Sequence, residues 1–372
     1  MNLNSTTQLQ ARDITPKLSQ GGFSLIELMI AMTIGLVILG AVVQIFVSSH
    51  ATYQLDEGMS RVQEDARFSM DYLAKDIRMA GYLGCNSALF GTSAVNNIVS
   101  PSNLSTTFVT GGIRGYRYAC TSSCTGNLSE WDPALPGDFF VVGEVKQGSD
   151  VVIIYRGSEL GTTLTGNLAT ANANIQIVDT AAIAGVINLN DILLISDCSA
   201  ADIFKATTIS HPGGSGQYTI AHSAAGNTGP MLSKAYQSDA RLMKLVSRAY
   251  YVATSAAGEP GLFLKELGTG ALQPGQELVS DVESMKILYG VDTAATGSAS
   301  QYVVPATVTD WTKVVSLRLG IIVRTPSTAD TVLDTKQYDL LDDTVSTLDN
   351  FGPANDNRRR RVFNTTIRLR NH

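Results

Sequence analysis

A single carboxylate, Glu27, stands inside the most apolar stretch of the sequence, and it is the strongest chemical signal in the chain. The stretch runs from Phe23 to Val47, reads FSLIELMIAMTIGLVILGAVVQIFV, and has Glu27 as its only charged residue. A charge inside a membrane-length apolar segment is costly, and such residues are usually paired and functional. We therefore expect Glu27 to meet a cationic partner. The small residues Gly21 and Gly22 come just before this stretch.

The cysteines are a second candidate group: Cys85, Cys120, Cys124 and Cys198. They form no C-x-x-C pair and no histidine has zinc-finger spacing from them, so we predict no metal site. An even count in an exported head favours disulfides, whereas free thiols would suit a cytosolic protein. Cys120 and Cys124 could close a small loop and leave Cys85 to pair with Cys198. The sequence equally permits the other connectivities.

The histidines do not indicate an active site. His50, His211, His222 and His372 belong to no recognisable nucleophile motif with a serine or cysteine. The run HPGGSG, which begins at His211, lacks the lysine and the following helix of a phosphate-binding loop, so we interpret it as a surface turn. We predict that the chain is not an enzyme and carries no cofactor.

The element that positions Glu27 is a long helix. Its apolar part, residues 23–47, is long enough to span a hydrocarbon core of about 30 Å. Arg12 and Lys17 precede it, and a positive flank keeps the N-terminus in the cytoplasm. An ordinary signal peptide would have a shorter apolar region followed by small residues. An ordinary signal anchor would not explain Glu27.

The helix is predicted to continue to Ala80, because no proline interrupts residues 48–80. Apolar residues recur there at spacings of three and four, which is typical of one buried helix face: Leu55, Met59, Val62, Ala66, Met70, Leu73 and Ile77. The other face carries charged residues: Asp56, Glu57, Arg61, Glu64, Asp65, Arg67, Asp71, Lys75, Asp76 and Arg78. Gly81 and Gly84 are plausible terminators. A coiled coil is the competing interpretation.

The rest of the chain has the composition of a β-rich head. It is rich in Gly, Ser, Thr and Ala, and the 372 residues have a formal charge of −6, which gives no reason to expect a nucleic-acid binder. Strands bounded by turn residues are predicted at 139–145, 150–156, 191–196, 205–210, 243–254, 262–267, 314–324 and 363–370, with a helix as the alternative at 243–254. Segments 87–107 and 162–174 are predicted loops. The fold class is α+β, a long helix packed on an antiparallel head, with two lobes that could divide near His211.

These features resemble the type IV pilins and the pseudopilins of type II secretion. The segment GG-FSLIELMIAMTIGLVILG is similar to their leader and first helix, with glycine before the cleavage point and glutamate at the fifth mature position. Further islands resemble the PilW family of minor pilins: residues 67–85, 191–204, 282–292, 310–324 and 362–371. One departure is the absence of the mid-helix proline that major pilins often have.

The resemblance implies a division into a leader (1–22, removed), a transmembrane half-helix (23–47), an amphipathic half-helix (48–82) and a head (83–372). A prepilin peptidase would cut between Gly22 and Phe23 and methylate the Phe23 amino group. Glu27 would pair with that amino group or with the one of a neighbouring subunit and so set the assembly register. Relatives can carry a calcium loop near residues 290–302, but only Asp292 remains here, so we predict a plain turn without metal.

The arginine run from Arg358 to Arg361 leaves two interpretations open. It could contact phosphate of lipid or DNA. We favour a solvated flank of the last strand, because isolated charge runs usually face solvent.

The implied function is a minor pilin that primes and caps type IV pilus assembly in a tip complex, with roles in adhesion and twitching motility. A type II secretion pseudopilin is the nearest alternative, and a membrane-anchored periplasmic enzyme or adhesin head is another. Expected partners are the prepilin peptidase, other minor pilins, the major pilin, a large tip adhesin, the assembly machinery and the lipid bilayer. The expected location is the inner membrane of a Gram-negative bacterium, with a periplasmic head, and then the pilus.

Overall fold

The computed structural model describes residues 22–84, 95–100, 108–181, 183, 185–213, 215–267, 274–326, 332–341 and 350–370. The chain forms two compact units, Met1–Gln54 and Leu55–His372. One predicted site residue, Cys85, lies outside the described residues.

The long helix α1 runs from Leu25 to Ile77. Its N-terminal part is apolar and exposed, and by length and composition the helix is able to cross a membrane. It ends three residues earlier than Ala80, because the chain turns at Arg78–Gly81 and Gly81 takes a left-handed conformation with φ 71°. A glycine in that conformation is a common helix terminator, since it carries no Cβ to clash.

The head is built from short strands with turns between them. In chain order they are β1 (Val95–Asn97), β2 (Ile113–Tyr118), β3 (Trp131–Asp132), β4 (Val151–Glu159), β5 (Ile175–Val178), β6 (Ile192–Ser196), β7 (Ala201–Lys205), β8 (Thr208–Ser210), β9 (Gln217–Ala221), β10 (Arg241–Thr254), β11 (Pro260–Leu267), β12 (Gln276–Ser280), β13 (Val282–Val291), β14 (Gln301–Val303), β15 (Val314–Arg324), β16 (Tyr338–Asp339), β17 (Asn350–Phe351) and β18 (Arg360–Arg368). Short 3₁₀ helices occur at Leu128–Glu130, Pro305–Thr307 and Trp311–Lys313.

The largest sheet has nine strands in the order β1-β7-β6-β10-β4-β2-β3, with β11 and β12 continuing from β10. The centre is β10, whose fourteen residues pair with β6, β4 and β11. All pairs in this sheet are antiparallel except β1 with β7. A continuous apolar run such as VVIIY in β4 favours a central strand, because a central strand is buried on both faces.

A second sheet has four strands in the order β14-β13-β15-β18, all antiparallel. The chain passes between the two large sheets at one residue, Asp281, which separates β12 from β13 and has a φ of 60°. Smaller sheets are formed by β5-β9-β8 and by β16-β17.

The lower part of α1 packs against both large sheets within the unit Leu55–His372. The shared core contains Val62, Ala66 and Leu73 of the helix together with residues of β4, β10, β13 and β15. At Gly58 the helix lies so close to the head that a Cβ would be 3.1 Å from Thr325 Cγ2. Glycine inside a helix is unfavourable by about 1 kcal/mol relative to alanine, and here it permits close packing.

The predicted fold class, a long helix on an antiparallel β-rich head, is confirmed. Strands predicted at 150–156, 191–196, 243–254, 262–267, 314–324 and 363–370 correspond to β4, β6, β10, β11, β15 and β18. The expected division near His211 is not where the sheets divide, because the nine-stranded sheet takes strands from both sides of it and the boundary falls at Asp281.

Two strand predictions were wrong. Residues 139–145 form turns, in which the amides of Phe139 and Phe140 donate to the carbonyl of Pro136. Both rings fill the core of the nine-stranded sheet, so the apolar run anchors a loop. The second wrong prediction is the strand at 205–210, which is split between the end of β7 and β8. In addition, β1 lies within segment 87–107, which was predicted to be a loop.

Candidate functional site

The residues of the predicted processing motif are exposed. The side chain of Phe23 is 88% exposed, and a Cβ placed on Gly22 would have no atom within 4 Å. Gly22 also lies outside the left-handed region that favours glycine. Folding of the chain therefore gives no reason for glycine at this position, and any need for a small residue must come from a partner that binds the segment.

Glu27 caps the N-terminus of its own helix. The amide of Ser24 donates to Glu27 Oε2 at 3.1 Å, and the amide of Ile26 donates to Ser24 Oγ at 3.3 Å. Because α1 begins at Leu25, Ser24 is the N-cap and Glu27 is the third helical residue, which is the arrangement of a capping box. The spacing S-x-x-E is the sequence signal for this cap, and it was not among the predictions.

The capping box gives Glu27 a partner before any other chain is present. Helix termini leave backbone N–H groups without intrahelical partners, and an unsatisfied N–H in lipid costs several kcal/mol. With Gly22 and Phe23 still joined, Phe23 has a peptide nitrogen rather than an amino group. The predicted pairing of Glu27 with a Phe23 amino group is thus a separate state of the processed chain and stays a prediction.

The lower helix is held to the head by a residue that was predicted to lie on its charged, solvent-facing side. Asp76 was assigned to solvent, but it is 7% exposed and lies on the buried face with Leu73 and Ile77. Its Oδ1 accepts from Arg156 Nε at 2.9 Å, and its Oδ2 accepts from Tyr250 Oη at 2.7 Å. The helix is therefore tied to β4 and β10 by one buried carboxylate.

Cations and a hydroxyl donor surround the Asp76 carboxylate. Burial raises the pKa of the Tyr250 hydroxyl, and the nearby charge of Asp76 raises it further. Arg248 adds a second cation, with Nη1 at 3.6 Å from Asp76 Oδ1. A buried carboxylate is tolerated where cations and hydrogen-bond donors surround it. The partners are 80 and 174 residues away in the chain, which is why a helix-face argument could not find them.

The arginine run at residues 358–361 does not form the uniform solvated flank that was predicted. Arg360 is the first residue of β18 and its side chain is 1% exposed, while Arg359 and Arg361 are exposed. Successive side chains of an extended segment point to opposite faces, so the run divides between an inner and an outer side. The favoured interpretation was wrong for Arg358 and Arg360.

The inner side forms a cluster that we call the inner arginine cluster. Its cations are paired with carboxylates from several strands and loops: Arg324, Arg358, Arg360, Glu259, Asp281, Glu283, Asp334 and Asp356. Burial acts to lower the pKa of Arg360, but its hydrogen bonds to Asp356 and Glu283 raise that pKa above its usual value. The hydrogen bond from Arg360 lowers the pKa of Asp356 to about 2.

Comparisons with known protein families match two separate parts of the chain. A family model described as type IV pilus-assembly protein W matches residues 249–371. The prokaryotic N-terminal methylation motif matches residues 17–43, which include Gly22, Phe23 and Glu27. The C-terminal third of this chain is similar to the PilW family, and its N-terminus carries the methylation motif.

The PilW match begins within β10 and extends past β18, so it contains the whole four-stranded sheet and every member of the inner arginine cluster. The islands at residues 67–85 and 191–204 lie outside it. No curated protein matches the chain. Among solved structures, a type IV-like pilin from Thermus thermophilus aligns with 12% identity over 84% of this chain and 97% of its own, at a TM-score of 0.34. Nothing about the arrangement of the head follows from a likeness of that size.

The described cysteines lie in the head. Cys120 and Cys124 form a disulfide with a Cα–Cα distance of 6.0 Å. Cys198 is also disulfide-bonded, whereas the predicted partner Cys85 lies outside the described residues. Glu130 lies near the first disulfide, but its Oε1 accepts from the amides of Thr125 and Gly126. Its sulfur neighbours are already bonded to each other, so this trio does not offer free metal ligands.

The Asp292 loop and the described head histidines make structural contacts. The amides of Ala294 and Gly297 donate to the Asp292 carboxylate, which fits the predicted turn. His211 Nε2 lies 2.9 Å from Asp179 Oδ2, and the His211 ring stacks on Tyr218. These arrangements supply no recognisable nucleophile. The absence of a metal and of catalysis stays a prediction.

Proposed function

We propose that this chain is a PilW-family minor pilin that helps to prime and cap type IV pilus assembly within a tip or initiation complex. The observation that carries the proposal is the contrast within α1. Its residues up to Val47 expose almost exclusively apolar side chains, and an 18-residue window there has no burial inside the protein. Such a surface requires lipid or the helices of neighbouring subunits.

The processing step follows from the same segment. A prepilin peptidase would cleave between Gly22 and Phe23 and methylate the new amino group of Phe23. The exposure of both residues fits this role, because a protease must bind the segment in an extended conformation. After cleavage, Glu27 lies one turn from the new amino group, and a charged pair in lipid is favoured because each charge alone is penalised.

The size of the head supports a terminal position. The unit from Leu55 to His372 buries the lower helix on two sheets. A head of that bulk would interfere with close repetitive stacking, whereas it is tolerated at the end of a fibre. In this proposal the partners are other minor pilins, the major pilin and the assembly machinery of the inner membrane of a Gram-negative bacterium, with the head in the periplasm before assembly.

The test combines a deletion with localisation of the chain. Deletion should reduce surface pili strongly, and complementation should restore them. Immunogold labelling of sheared pili should find the chain at fibre ends rather than along the shaft. Normal piliation together with a defect in protein secretion would assign the chain to the pseudopilin machinery and reject the pilus role.

A further inference from the structure

The last strand leaves one edge of the four-stranded sheet open. β18 pairs with β15 and with no other strand of the described residues. The amide of Leu369 donates to the carbonyl of Val315, and the amide of Thr325 donates to that of Arg359. Because hydrogen-bonding residues alternate in an antiparallel pair, the odd-numbered residues of this segment direct their backbone groups to β15. The even-numbered residues direct theirs away from the sheet.

The outward backbone groups belong to Val362, Asn364, Thr366 and Arg368. Within the part of the chain that the structure describes, none of these groups has a hydrogen-bond partner. The next even residue, Arg370, donates its amide to the carbonyl of Arg78 at 3.2 Å, so the turn after α1 closes the edge at that end. An open edge of this length is a template for another strand.

Unpaired cations concentrate at the closed end of the edge. Arg78, Arg368 and Arg370 are exposed and, with Leu369, line a cavity of about 380 Å³. Arg368 donates to the carbonyl of Gly297 at 3.0 Å. In contrast to the inner arginine cluster, none of these guanidinium groups has a carboxylate partner among the described residues. We call them the edge arginines.

Protection of a bare edge against aggregation is the competing explanation for such charges. Charges with that purpose lie along the edge, where a foreign strand would pair. Here the outward residues Val362, Asn364 and Thr366 are uncharged, and threonine favours strand pairing. Exposed arginines stand at the two ends of this stretch, Arg361 alone at one end and the three edge arginines together at the other, where an end of an added strand would lie.

We propose that the open edge of β18 accepts an extended strand from a partner protein, and that acidic side chains at one end of this strand bind the edge arginines. The backbone groups of residues 362–368 would supply the affinity, and the edge arginines would select the charge and the register. This inference goes beyond the proposed function, because it holds for any assembly in which the head takes part.

The chain offers a matched pair of variants. Thr366→Pro removes the backbone N–H of residue 366, because proline has none. That N–H faces away from β15, so the hydrogen bonds between β18 and β15 remain. Thr366→Ala removes the same side chain but keeps that donor. The probe is a synthetic peptide of alternating valine and threonine that ends in two glutamates, and its control ends in two glutamines. Binding to the full-length chain in detergent is measured by fluorescence anisotropy, and protection of residues 362–368 by hydrogen exchange.

The proposal expects the glutamate peptide to bind and to protect the amides of Asn364 and Thr366. The glutamine peptide should bind about fivefold more weakly, since exposed ion pairs contribute up to about 1 kcal/mol. Binding should persist in Thr366→Ala and be lost in Thr366→Pro. Charge reversal by Arg370→Glu should abolish the preference for glutamate. Thermal unfolding of each variant checks that the head remains folded.

Several outcomes would overturn the proposal. One is protection of the outward amides in the chain alone, which would show that the edge is already covered. Another is peptide binding that Thr366→Pro leaves unchanged. A dimer of the chain that Thr366→Pro abolishes would show that a second copy, rather than an acidic partner, occupies the edge.

Discussion

Glu27 and Asp76 are carboxylates in the two halves of helix α1, and their partners differ in kind. Glu27, in the apolar half, accepts from the backbone amide of Ser24. Asp76, near the other end, is buried and accepts from Arg156 and Tyr250 of the nine-stranded sheet. One carboxylate completes the helix itself and the other joins the helix to the fold.

The difference separates residues that serve the fold of this chain from residues that serve other molecules. One face of the lower half packs into the core of the unit Leu55–His372. The apolar half exposes large apolar side chains, which we expect lipid or other chains to cover. Mutations in the two halves should therefore give different phenotypes, with loss of stability in one and loss of processing or assembly in the other.

The largest effect is expected at Asp76. Asp76→Ala leaves Arg156 and the Tyr250 hydroxyl buried without their acceptor, and breaking a buried pair typically costs about 3–5 kcal/mol. The measurement is denaturant unfolding of the full-length chain in detergent. Asp71→Ala is the control, because Asp71 is 79% exposed and its weak pair with Arg67 should contribute little. Equal stability of the two variants would show that Asp76 is not an anchor.

Apolar residues on opposite faces of the lower half sharpen the comparison. Leu73 is fully buried, whereas Phe68 is 52% exposed. Leu73→Ala should lower the free energy of unfolding by about 2–5 kcal/mol, the usual range for buried leucine. Phe68→Ala should lower it by less than about 1 kcal/mol. The idea fails if the larger loss of stability follows from Phe68→Ala.

Acid should weaken the head through its paired carboxylates. The pKa of Asp356 is lowered from 3.8 to about 2, chiefly by the hydrogen bond from Arg360. A depressed folded-state pKa means that this contribution is present above the unfolded value and is lost as pH falls from about 4 to about 2. Asp356→Asn should reduce the pH dependence of unfolding in that window. The effect is modest because the Asp356 side chain is one-third exposed.

The smallest effect on the head is expected from the capping box. Ser24→Ala removes the acceptor of the Ile26 amide, and the loss of an N-cap typically costs about 1 kcal/mol, confined to the helix start. Hydrogen exchange of the first turn should become faster while unfolding of the head is unchanged. A change in head stability equal to that of Leu73→Ala would show that the two halves are not independent.

How much of this could be predicted depends on whether the decisive partner is local. The apolar run and the β-branched runs of β4 and β15 predict their own structure. Asp76 could not be placed, because polar residues on a helix are expected at the surface until their distant partners are known. The inner arginines of β18 had a usable signal, since a predicted strand places alternate side chains on opposite faces. The Ser24–Glu27 capping box also had a sequence signal, namely the S-x-x-E spacing.

The N-terminus of the mature chain provides the most direct test of the account, through Gly22→Val. No atom lies within 4 Å of the added Cβ, so the substitution leaves the fold intact and alters only what a peptidase meets. Mass spectrometry of the membrane-extracted chain should find methylated Phe23 as the first residue in the wild type. The leader should remain in Gly22→Val and be removed less efficiently in Gly22→Ala. A Gly22→Val chain that begins with methylated Phe23, or a wild-type chain that keeps its leader, would contradict the account.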